Sequence, residues 1–323
     1  MYKQERPLLS IIIVNYNVKE EIINCIQSIK DNINFNNTPY EIIVADNGSA
    51  DGSTKAIQER FPWVIVIENN SNLGFGKANN IGAKQAKGKV FFFLNPDTRV
   101  LGGIEEMAMF LLNHQETGIC GPLIFDRENK EVTYFEMSVY LNLFLQITDL
   151  MFTPLARLYF TYKRFKFKKK VNNSKPFTIN LIHGSAMMFN KTAFDAVGGF
   201  DEDLFMYGEE ADIGIKMKKQ NYRITIFPQA RIVHYEGSST KQSVNTKKDS
   251  MCTVAMKTVL KRHFPRTWYI RYHLEMLSQL RQIAISSMNA YSSYFNKKKY
   301  LNYRGMVLRH LAQYRLLKTI LHS

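Results

Sequence analysis

The first hundred residues alternate short apolar runs with segments of helical periodicity. The apolar runs have strand length and lie at residues 8–14, 41–45, 64–67 and 90–94. The helical segments lie at residues 20–33, 53–61 and about 72–87. Continuously apolar strands are typical of a sheet that is covered on both faces. This alternation predicts an α/β fold in which helices flank a mostly parallel central sheet with right-handed crossovers.

The last run, 90–94, is followed directly by Asn95-Pro96-Asp97, so a carboxylate stands at the carboxyl end of a strand. In an open α/β sheet, this edge forms the crevice in which ligands bind. A carboxylate placed there can hold a divalent cation, and Pro96 stiffens the turn that aims it. An Asx turn with an exposed aspartate accounts for this segment alone equally well.

Polar residues also follow the three preceding strands. Asn15-Tyr16-Asn17 ends the first strand, and Asp46-Asn47-Gly48-Ser49 ends the second. The segment 72–80 contains two glycines before a helix, which allow close backbone approach and leave helix N–H groups available to a phosphate. This segment lacks the third glycine of a dinucleotide fingerprint and the Gly-Lys-Ser/Thr of a P-loop, which disfavours dehydrogenases and kinases.

As an ordered set, these four strand ends resemble the nucleotide-sugar-binding half of glycosyltransferase family 2 enzymes, which have the GT-A architecture. Asn-Pro-Asp at 95–97 resembles the rhamnosyltransferase-like branch, because other members carry Asp-x-Asp there. The resemblance implies a GT-A domain over residues 1–240, with a nucleotide-sugar half at about 8–100 and an acceptor half at about 101–240. A helical, basic extension over residues 241–323 would follow it.

The resemblance also implies a role for each matching residue. Asn15 and Asn17 would line the base and ribose pocket, and Asp46 would accept a hydrogen bond from a pyrimidine N–H. Asp97 would hold Mg²⁺ or Mn²⁺ against the diphosphate, while Asn95 supplies one acidic ligand fewer than the double-aspartate form. The remaining residues implied to bind the nucleotide sugar are Asn47, Gly74, Gly76, Asn79, Asn95 and Ser238.

Two later segments complete the predicted site. Gly184 and Ser185 are small residues at the place where an acceptor would enter, although tight strand packing accounts equally well for Ser185. Glu209, Glu210 and Asp212 open a helix, where acidic residues ordinarily complement the helix dipole. The resemblance implies that Glu210 is the general base of an inverting transfer, with Glu209 and Asp212 in supporting roles and Glu209 as the alternative base.

His234 follows a strand and precedes a Gly-Ser-Ser turn. A lone histidine is more often a structural residue than a ligand. This one matches the family's histidine that reaches the metal or the diphosphate. The resemblance therefore implies that His234 is a second metal or phosphate ligand, with Ser238 close to it.

The positive charge of the chain is concentrated in its tail. Residues 241–323 hold sixteen Lys and Arg against two acidic residues, which is +14 of the total +15. Basic amphipathic helices of this kind are typical of anionic membrane surfaces, but packing on the catalytic domain or a homodimer interface is an equal alternative. Residues 140–170 are aromatic and basic but too interrupted to span a bilayer, which favours an interfacial helix.

The three cysteines show no paired spacing, which favours a reducing compartment, and the first apolar run is too short for a signal peptide. We therefore expect a cytoplasmic protein that is peripheral on the inner face of the membrane. The donor implied by the resemblance is a uridine or thymidine diphosphate sugar, and the Asn-Pro-Asp branch points foremost to deoxythymidine diphosphate (dTDP) rhamnose. The acceptor implied by the resemblance is a glycan or a polyprenyl-linked sugar in surface polysaccharide assembly.

Two other functions fit parts of the sequence. A nucleotidyltransferase would carry a glycine-rich loop with Arg or Lys after its first strand, whereas this chain has Asn15-Tyr16-Asn17-Val18. A non-catalytic module that binds nucleic acid would explain the basic tail. It would not explain acidic residues at successive strand ends, which repel phosphate unless a metal intervenes, so we expect no nucleic-acid partner.

Overall fold

The structure is a computed structural model that describes residues 7–34, 38–128, 130, 153–235, 246–292 and 296–322. The chain divides into two compact units. The first unit comprises Met1–Tyr134 and Lys166–Lys241, and the second comprises Phe135–Phe165 and Gln242–Ser323.

The first unit begins with strands and helices in alternation, as the sequence predicts, and each predicted element is found within three residues of its expected bounds. These elements are β1 Leu9–Asn15, α1 Lys19–Asn32, β2 Tyr40–Asp46, α2 Ser53–Arg60, β3 Ile65–Glu68, α3 Phe75–Gln85 and β4 Val90–Leu94. The elements that follow are β5 Thr98–Gly102, α4 Ile104–Asn113, β6 Thr117–Phe125, α5 Thr153–Asn172, β7 Phe177–Thr178, β8 Ala186–Asn190, α6 Lys191–Ala196, α7 Glu209–Lys219 and β9 Arg223–His234.

All the described strands of this unit join one sheet, in the order β3-β2-β1-β4-β8-β6-β9-β5, with β7 paired to β9. The strands β3, β2, β1 and β4 are mutually parallel, which confirms the predicted parallel pairing of this part of the sheet. Parallel pairing brings strand ends together, and Asn15 is the register partner of Asp46. The polar residues after these strands therefore share one edge of the sheet.

The other half of the sheet is mixed. Strand β8 runs antiparallel to both β4 and β6, while β6 and β9 are parallel. Strand β5 pairs antiparallel with the end of β9, so that Thr98 is the register partner of His234. This pairing brings the residue before β5 to the carboxyl end of β9.

The apolar strands are buried on both faces. Alternate residues of β4 belong to different hydrophobic clusters, with Phe92 on one face of the sheet and Phe93 on the other. The Phe93 ring lies 5.4 Å from that of Phe189 and 4.9 Å from that of Phe200. Helices cover each face, which accounts for a run of five apolar residues without polar alternation.

The second unit is helical over its described residues. Its longest helices are α8 Thr246–His263, α9 Trp268–Ser292 and α10 Lys297–His322, and the first part of α5 also belongs to it. A small cluster of Leu260, Tyr272 and Leu317 joins α8, α9 and α10, and the Tyr272 hydroxyl donates to the Leu317 carbonyl at 3.0 Å. Within the described part of the chain, no helix has the length and apolar character needed to cross a membrane.

Candidate active site

The ends of β1 and β2 are joined by a buried hydrogen-bond network. The Asn15 amide nitrogen lies 2.7 Å from an Asp46 carboxylate oxygen and 2.7 Å from the Ser53 hydroxyl. The other Asp46 oxygen accepts from the backbone N–H groups of Gly48 and Ser49 at 3.1 and 2.8 Å. Asp46 therefore fixes the conformation of the loop after β2. Its predicted contact with a pyrimidine N–H would be made from the same position.

One atom of this network lacks a partner in the structure. The Asn15 side-chain oxygen is buried and accepts no hydrogen bond from the described residues. A buried acceptor without a donor is costly, which makes it a candidate contact for a ligand N–H or O–H. Asn17 lies nearby at the surface, with a left-handed φ of 54°, and its side-chain oxygen accepts from the Ala50 N–H at 2.8 Å.

Asn47 connects this network to the loop before α3. Its amide nitrogen donates to the Gly74 carbonyl at 3.1 Å and to the Asn72 side-chain oxygen at 3.2 Å. Gly74 has a φ of +84°, and a Cβ added to it would lie 2.2 Å from the Phe205 carbonyl oxygen. The Phe75 N–H donates to the same carbonyl at 2.9 Å and holds it in place. A side chain at position 74 would therefore clash with it, and only glycine fits.

Two other residues of this loop pack inside the protein. A Cβ on Gly76 would lie 3.0 Å from the Asp201 carbonyl oxygen. Asn79 is buried, and its amide donates to the Phe75 carbonyl at 3.1 Å. Gly76 thus lets α3 pack closely on the segment 200–205, which leads to α7, whereas the bond of Asn79 lies within α3. The predicted contact of both residues with a sugar nucleotide stays a prediction.

Asp97 and His234 come together at the edge of the sheet. The antiparallel pairing of β5 with β9 places His234 Nε2 3.2 Å from Asp97 Oδ1, and the Tyr235 N–H donates to the Asp97 carbonyl at 2.9 Å. The Asp97 and His234 side chains are 19% and 8% exposed, so both are held firmly and Asp97 remains accessible. The two residues predicted to hold the metal are therefore neighbours, although 137 positions separate them in the sequence.

The donor atoms available at this pair suit a cation that also binds phosphate. Among the described residues, no group of three His, Cys, Asp or Glu could hold a metal by itself. Magnesium is commonly held by one or two carboxylates together with substrate phosphates, and imidazole is a common ligand of transition metals. Asp97 and His234 fit such a shared site. Asn95 lies beside it, and its backbone N–H donates to the Ser185 carbonyl at 2.9 Å.

The segment before β8 lies between this pair and the acidic start of α7. The His183 ring packs edge-on against the His234 ring, with centroids 5.4 Å apart. A Cβ on the following residue, Gly184, would lie 3.6 Å from Glu210 Oε2. Ser185 is buried and bonded to His183, which favours a structural role for it. The sequence analysis assigned roles to Gly184 and Ser185 but not to His183, because nothing local distinguishes that histidine.

Glu209 and Glu210 have different environments in the first turn of α7. Glu209 is 3% exposed, and its Oε1 has no hydrogen-bond partner among the described residues. Burial, reinforced by the charges of Glu210 and Asp212, raises the pKa of Glu209 to about 8. Burial also raises the pKa of Glu210, and the backbone N–H groups of Glu210 and Gly208 oppose that rise. Glu210 is partly exposed as a residue, whereas Glu209 is buried.

Asp212 is not accessible to a substrate, so the structure gives it no direct part in proton transfer. It is fully buried, and its carboxylate forms an ion pair with Lys216 at 2.7 Å, one turn later on α7. A buried carboxylate held by a cation stabilises the helix start that carries Glu209 and Glu210. Ser238, the remaining predicted residue, lies outside the described residues.

Comparisons with known proteins agree with this geometry. The family model described as "Glycosyl transferase family 2" matches residues 10–198, and the model described as "N-terminal domain of galactosyltransferase" matches residues 166–238. The N-acetylglucosaminyl-diphospho-decaprenol L-rhamnosyltransferase of Mycobacterium tuberculosis is 27% identical over an alignment of 215 residues that covers 62% of this chain and 68% of the relative. A dTDP-rhamnosyl transferase of Shigella flexneri is 21% identical over 237 residues, covering 64% and 72% of the two chains.

The fold is also found in solved structures. A mannosyltransferase from Pyrobaculum calidifontis, solved in complex with GDP-mannose and Mn²⁺, aligns with a TM-score of 0.59 and 15% identity over 98% of this chain and 87% of its own. This likeness confirms the predicted GT-A fold class. The matched family model, which covers more than half of the sequence, shows that the chain belongs to glycosyltransferase family 2.

Proposed function

We propose that the chain is an inverting glycosyltransferase that uses a pyrimidine nucleoside diphosphate sugar, foremost dTDP-rhamnose. One observation carries the proposal: Asp97 and His234 meet 3.2 Å apart at the ligand edge of the sheet, and the segment 183–184 links them to Glu210. A site for a phosphate-bound cation and a carboxylate base thus lie on either side of one short segment. This is the arrangement that an in-line displacement at a sugar carbon requires.

The donor would bind across the strand ends. Asn15, Asp46 and Asn47 form the polar floor under the nucleoside, and the free Asn15 oxygen suits a donor group of the base or ribose. Asp97 and His234 would hold Mg²⁺ or Mn²⁺, which neutralises the charge that develops on the departing diphosphate. The names of the two rhamnosyltransferase relatives support rhamnose as the sugar, and one of them supports dTDP as the carrier.

Glu210 would deprotonate the acceptor hydroxyl as that oxygen attacks. The residue is partly exposed, and its carboxylate lies beside Gly184, where the absent side chain leaves room for an acceptor. Glu209 is buried, and a pKa of about 8 leaves only a minor fraction of it ionised at neutral pH, so we assign it the supporting role. The decaprenol-linked substrate in the name of the mycobacterial relative supports a polyprenyl-linked acceptor in surface polysaccharide assembly.

Paired variants of the two glutamates test this assignment. Glu210→Gln should bind the donor as the wild type does and lower transfer by a factor of about 100 or more, the range of general-base contributions. Glu209→Gln should retain most of the transfer activity, because the wild-type side chain is already mostly neutral. The assay measures rhamnose transfer to a short polyprenyl-diphosphate sugar and, separately, donor binding by calorimetry. Loss of transfer in Glu209→Gln with full activity in Glu210→Gln would reverse the assignment.

We further propose that the second unit binds the surface of an anionic membrane. Ile270, Leu277, Met288 and Tyr291 recur at helical spacing on α9 and are all exposed, with Tyr291 86% exposed. The only acidic residue in α9 and α10 is Glu275, and it is buried. An apolar stripe among basic residues fits an interface of anionic lipid headgroups.

Co-sedimentation of the full chain with vesicles of phosphatidylglycerol and phosphatidylcholine tests this surface. Binding should weaken as salt rises, and the double variant Leu277→Gln/Met288→Gln should bind several-fold more weakly. Met109→Gln on α4, an equally simple change at a residue 45% exposed in the first unit, is the control and should bind as the wild type does. Dimers that dissociate in the double variant, without vesicle binding in the wild type, would identify the stripe as a homodimer interface instead.

A further inference from the structure

Strand β6 ends at the same edge of the sheet as β9, and the turn that follows β6 carries Arg127. The two strands are parallel, with Phe125 the register partner of Val233. Two residues further along each segment, the Arg127 guanidinium lies over the Tyr235 ring, 5.7 Å from its centroid, and Arg127 Nη2 donates to the Tyr235 carbonyl at 3.3 Å. The pairing of β6 with β9 thus places an arginine at the ligand edge, beside the residue that follows His234.

Tyr235 connects Arg127 to the site proposed for the cation. The Tyr235 N–H donates to the Asp97 carbonyl at 2.9 Å, and the Asp97 carboxylate lies 3.2 Å from His234 Nε2. Arg127 and Asp97 therefore both bond to the backbone of one residue. Asp97 alone neutralises only part of the positive charge of a divalent cation and a nearby guanidinium, so this edge suits a further anion.

The acidic neighbours of Arg127 are engaged elsewhere. The Glu128 carboxylate forms an ion pair with Lys130, and an Asp126 carboxylate oxygen accepts from the backbone N–H groups of Glu128 and Lys130 at 2.8 Å each. Within the described part of the chain, Arg127 forms no ion pair, and its contacts are those with Tyr235. Arg127 is exposed, and a single N–H of its guanidinium is used, so the other N–H groups can donate to an oxyanion.

We propose that Arg127 is a further phosphate-binding residue, whose guanidinium donates to a diphosphate held at this edge of the sheet. The inference rests on the proposed function, because that function supplies two molecules with a diphosphate, the donor and the polyprenyl-linked acceptor. A guanidinium presents paired N–H groups that match two oxygens of a phosphate, and it stays charged throughout the physiological pH range. The contact with the Tyr235 ring holds the guanidinium in place, which reduces the conformational freedom that is lost on binding.

Calorimetry of the full chain with two ligands tests the contact and identifies its source. The ligands are dTDP, for the donor, and farnesyl diphosphate, a short analogue of a polyprenyl diphosphate. Arg127→Gln should bind one of them about tenfold more weakly at low salt, the range for a hydrogen bond to a charged group. A loss for dTDP identifies the donor diphosphate, and a loss for farnesyl diphosphate alone identifies the acceptor diphosphate. Arg127→Lys keeps the charge and should recover part of the affinity.

The salt dependence separates a phosphate contact from a structural effect. The deficit of Arg127→Gln should shrink as salt rises, because salt screens an exposed ionic contact. A deficit that does not change with salt, in Arg127→Gln and Arg127→Lys alike, would make the arginine a support for Tyr235 and overturn the inference.

Unchanged affinity of Arg127→Gln for both ligands would also overturn the inference. The control is Arg223→Gln at the opposite end of β9, where Glu116 lies 3.5 Å from the guanidinium, and it should bind both ligands as the wild type does. Normal wild-type binding with an unaffected Arg127→Gln would contradict this inference alone. If the wild type bound neither dTDP nor UDP, the proposed function would fail, and this inference with it.

Discussion

Glu209 provides a sharp test of the electrostatics of the site. Its side chain is 3% exposed, and one of its oxygens lacks a hydrogen-bond partner among the described residues. Its pKa is raised from 4.5 to about 8, first by burial and then by the charge of Glu210. The change to make is Glu209→Gln, which keeps the shape of the protonated side chain and cannot ionise.

The sign and size of the effect follow from proton linkage. Because the folded state binds a proton on Glu209 more tightly than the unfolded state does, the free energy of unfolding falls as pH rises between 4.5 and about 8. The slope from one such group is about 1.4 kcal/mol per pH unit, which accumulates to on the order of 5 kcal/mol above pH 8. Below pH 4.5 the group is protonated in both states and contributes no pH dependence.

Urea unfolding of the wild type and of Glu209→Gln at pH 5 to 8.5 measures this difference. The chain contains two tryptophans, Trp63 in the first unit and Trp268 in the second. A Trp268→Phe background therefore lets Trp63 fluorescence report the unit that carries Glu209. Glu209→Gln should gain stability over the wild type as pH rises, by several kcal/mol at pH 8. Glu59→Gln, whose wild-type side chain is 67% exposed, should show no such gain.

Parallel pH profiles for the wild type and Glu209→Gln would refute this reasoning. They would mean that Glu209 ionises with an ordinary pKa, so that its environment is wetter than the structure shows. In that case Glu209 would be charged at neutral pH, and the argument that favours Glu210 as the base would lose its electrostatic support.

Three further changes test the rest of the site. Asp97→Asn should make nucleotide binding, measured by calorimetry, independent of Mn²⁺. If binding by this variant still depended on Mn²⁺, Asp97 would not be a metal ligand. Gly74→Ala should lower the free energy of unfolding of the first unit by about 3 kcal/mol or more, because a Cβ would lie 2.2 Å from a carbonyl oxygen. Gly52→Ala, at a similar φ but with no neighbour within 4 Å, should lower it by about 1 kcal/mol. Lys216→Met should lower the free energy of unfolding by about 3 kcal/mol, because it removes the cation from buried Asp212. The double variant Asp212→Asn/Lys216→Met should recover much of that loss. Equal urea midpoints for the wild type and Lys216→Met would contradict the ion pair.

The sequence predicts the parallel half of the fold because burial on both faces leaves a local signal. Strand β4 is apolar throughout, β1 is apolar between Ser10 and Asn15, and polar residues end each run at the predicted place. Strand β6 has no such signal, because Thr117–Phe125 contains two glycines and a proline. The register of β6 with β9 shifts at that proline, Pro122, and no local pattern predicts such a shift.

The same limit applies to the site. Asp97 stands out locally, since a carboxylate directly follows a buried strand. The contact between Asp97 and His234 depends on the pairing of β5 with β9, which joins residues far apart in the chain. The resemblance to a family supplied that partner, whereas the position of His183 beside His234 needed the structure. The close approach of Gly74 to Phe205 likewise arises from tertiary packing that the two glycines alone do not specify.

The most direct test of the central proposal is a calorimetric titration of the full chain with a panel of nucleoside diphosphates, with and without Mn²⁺. We expect binding that depends on Mn²⁺ and is restricted to dTDP and UDP, with the sugar nucleotide dTDP-rhamnose bound as well. Equal binding of GDP or ADP would contradict the pyrimidine donor. Absence of binding by any nucleotide to the folded protein would contradict the proposed transferase site itself.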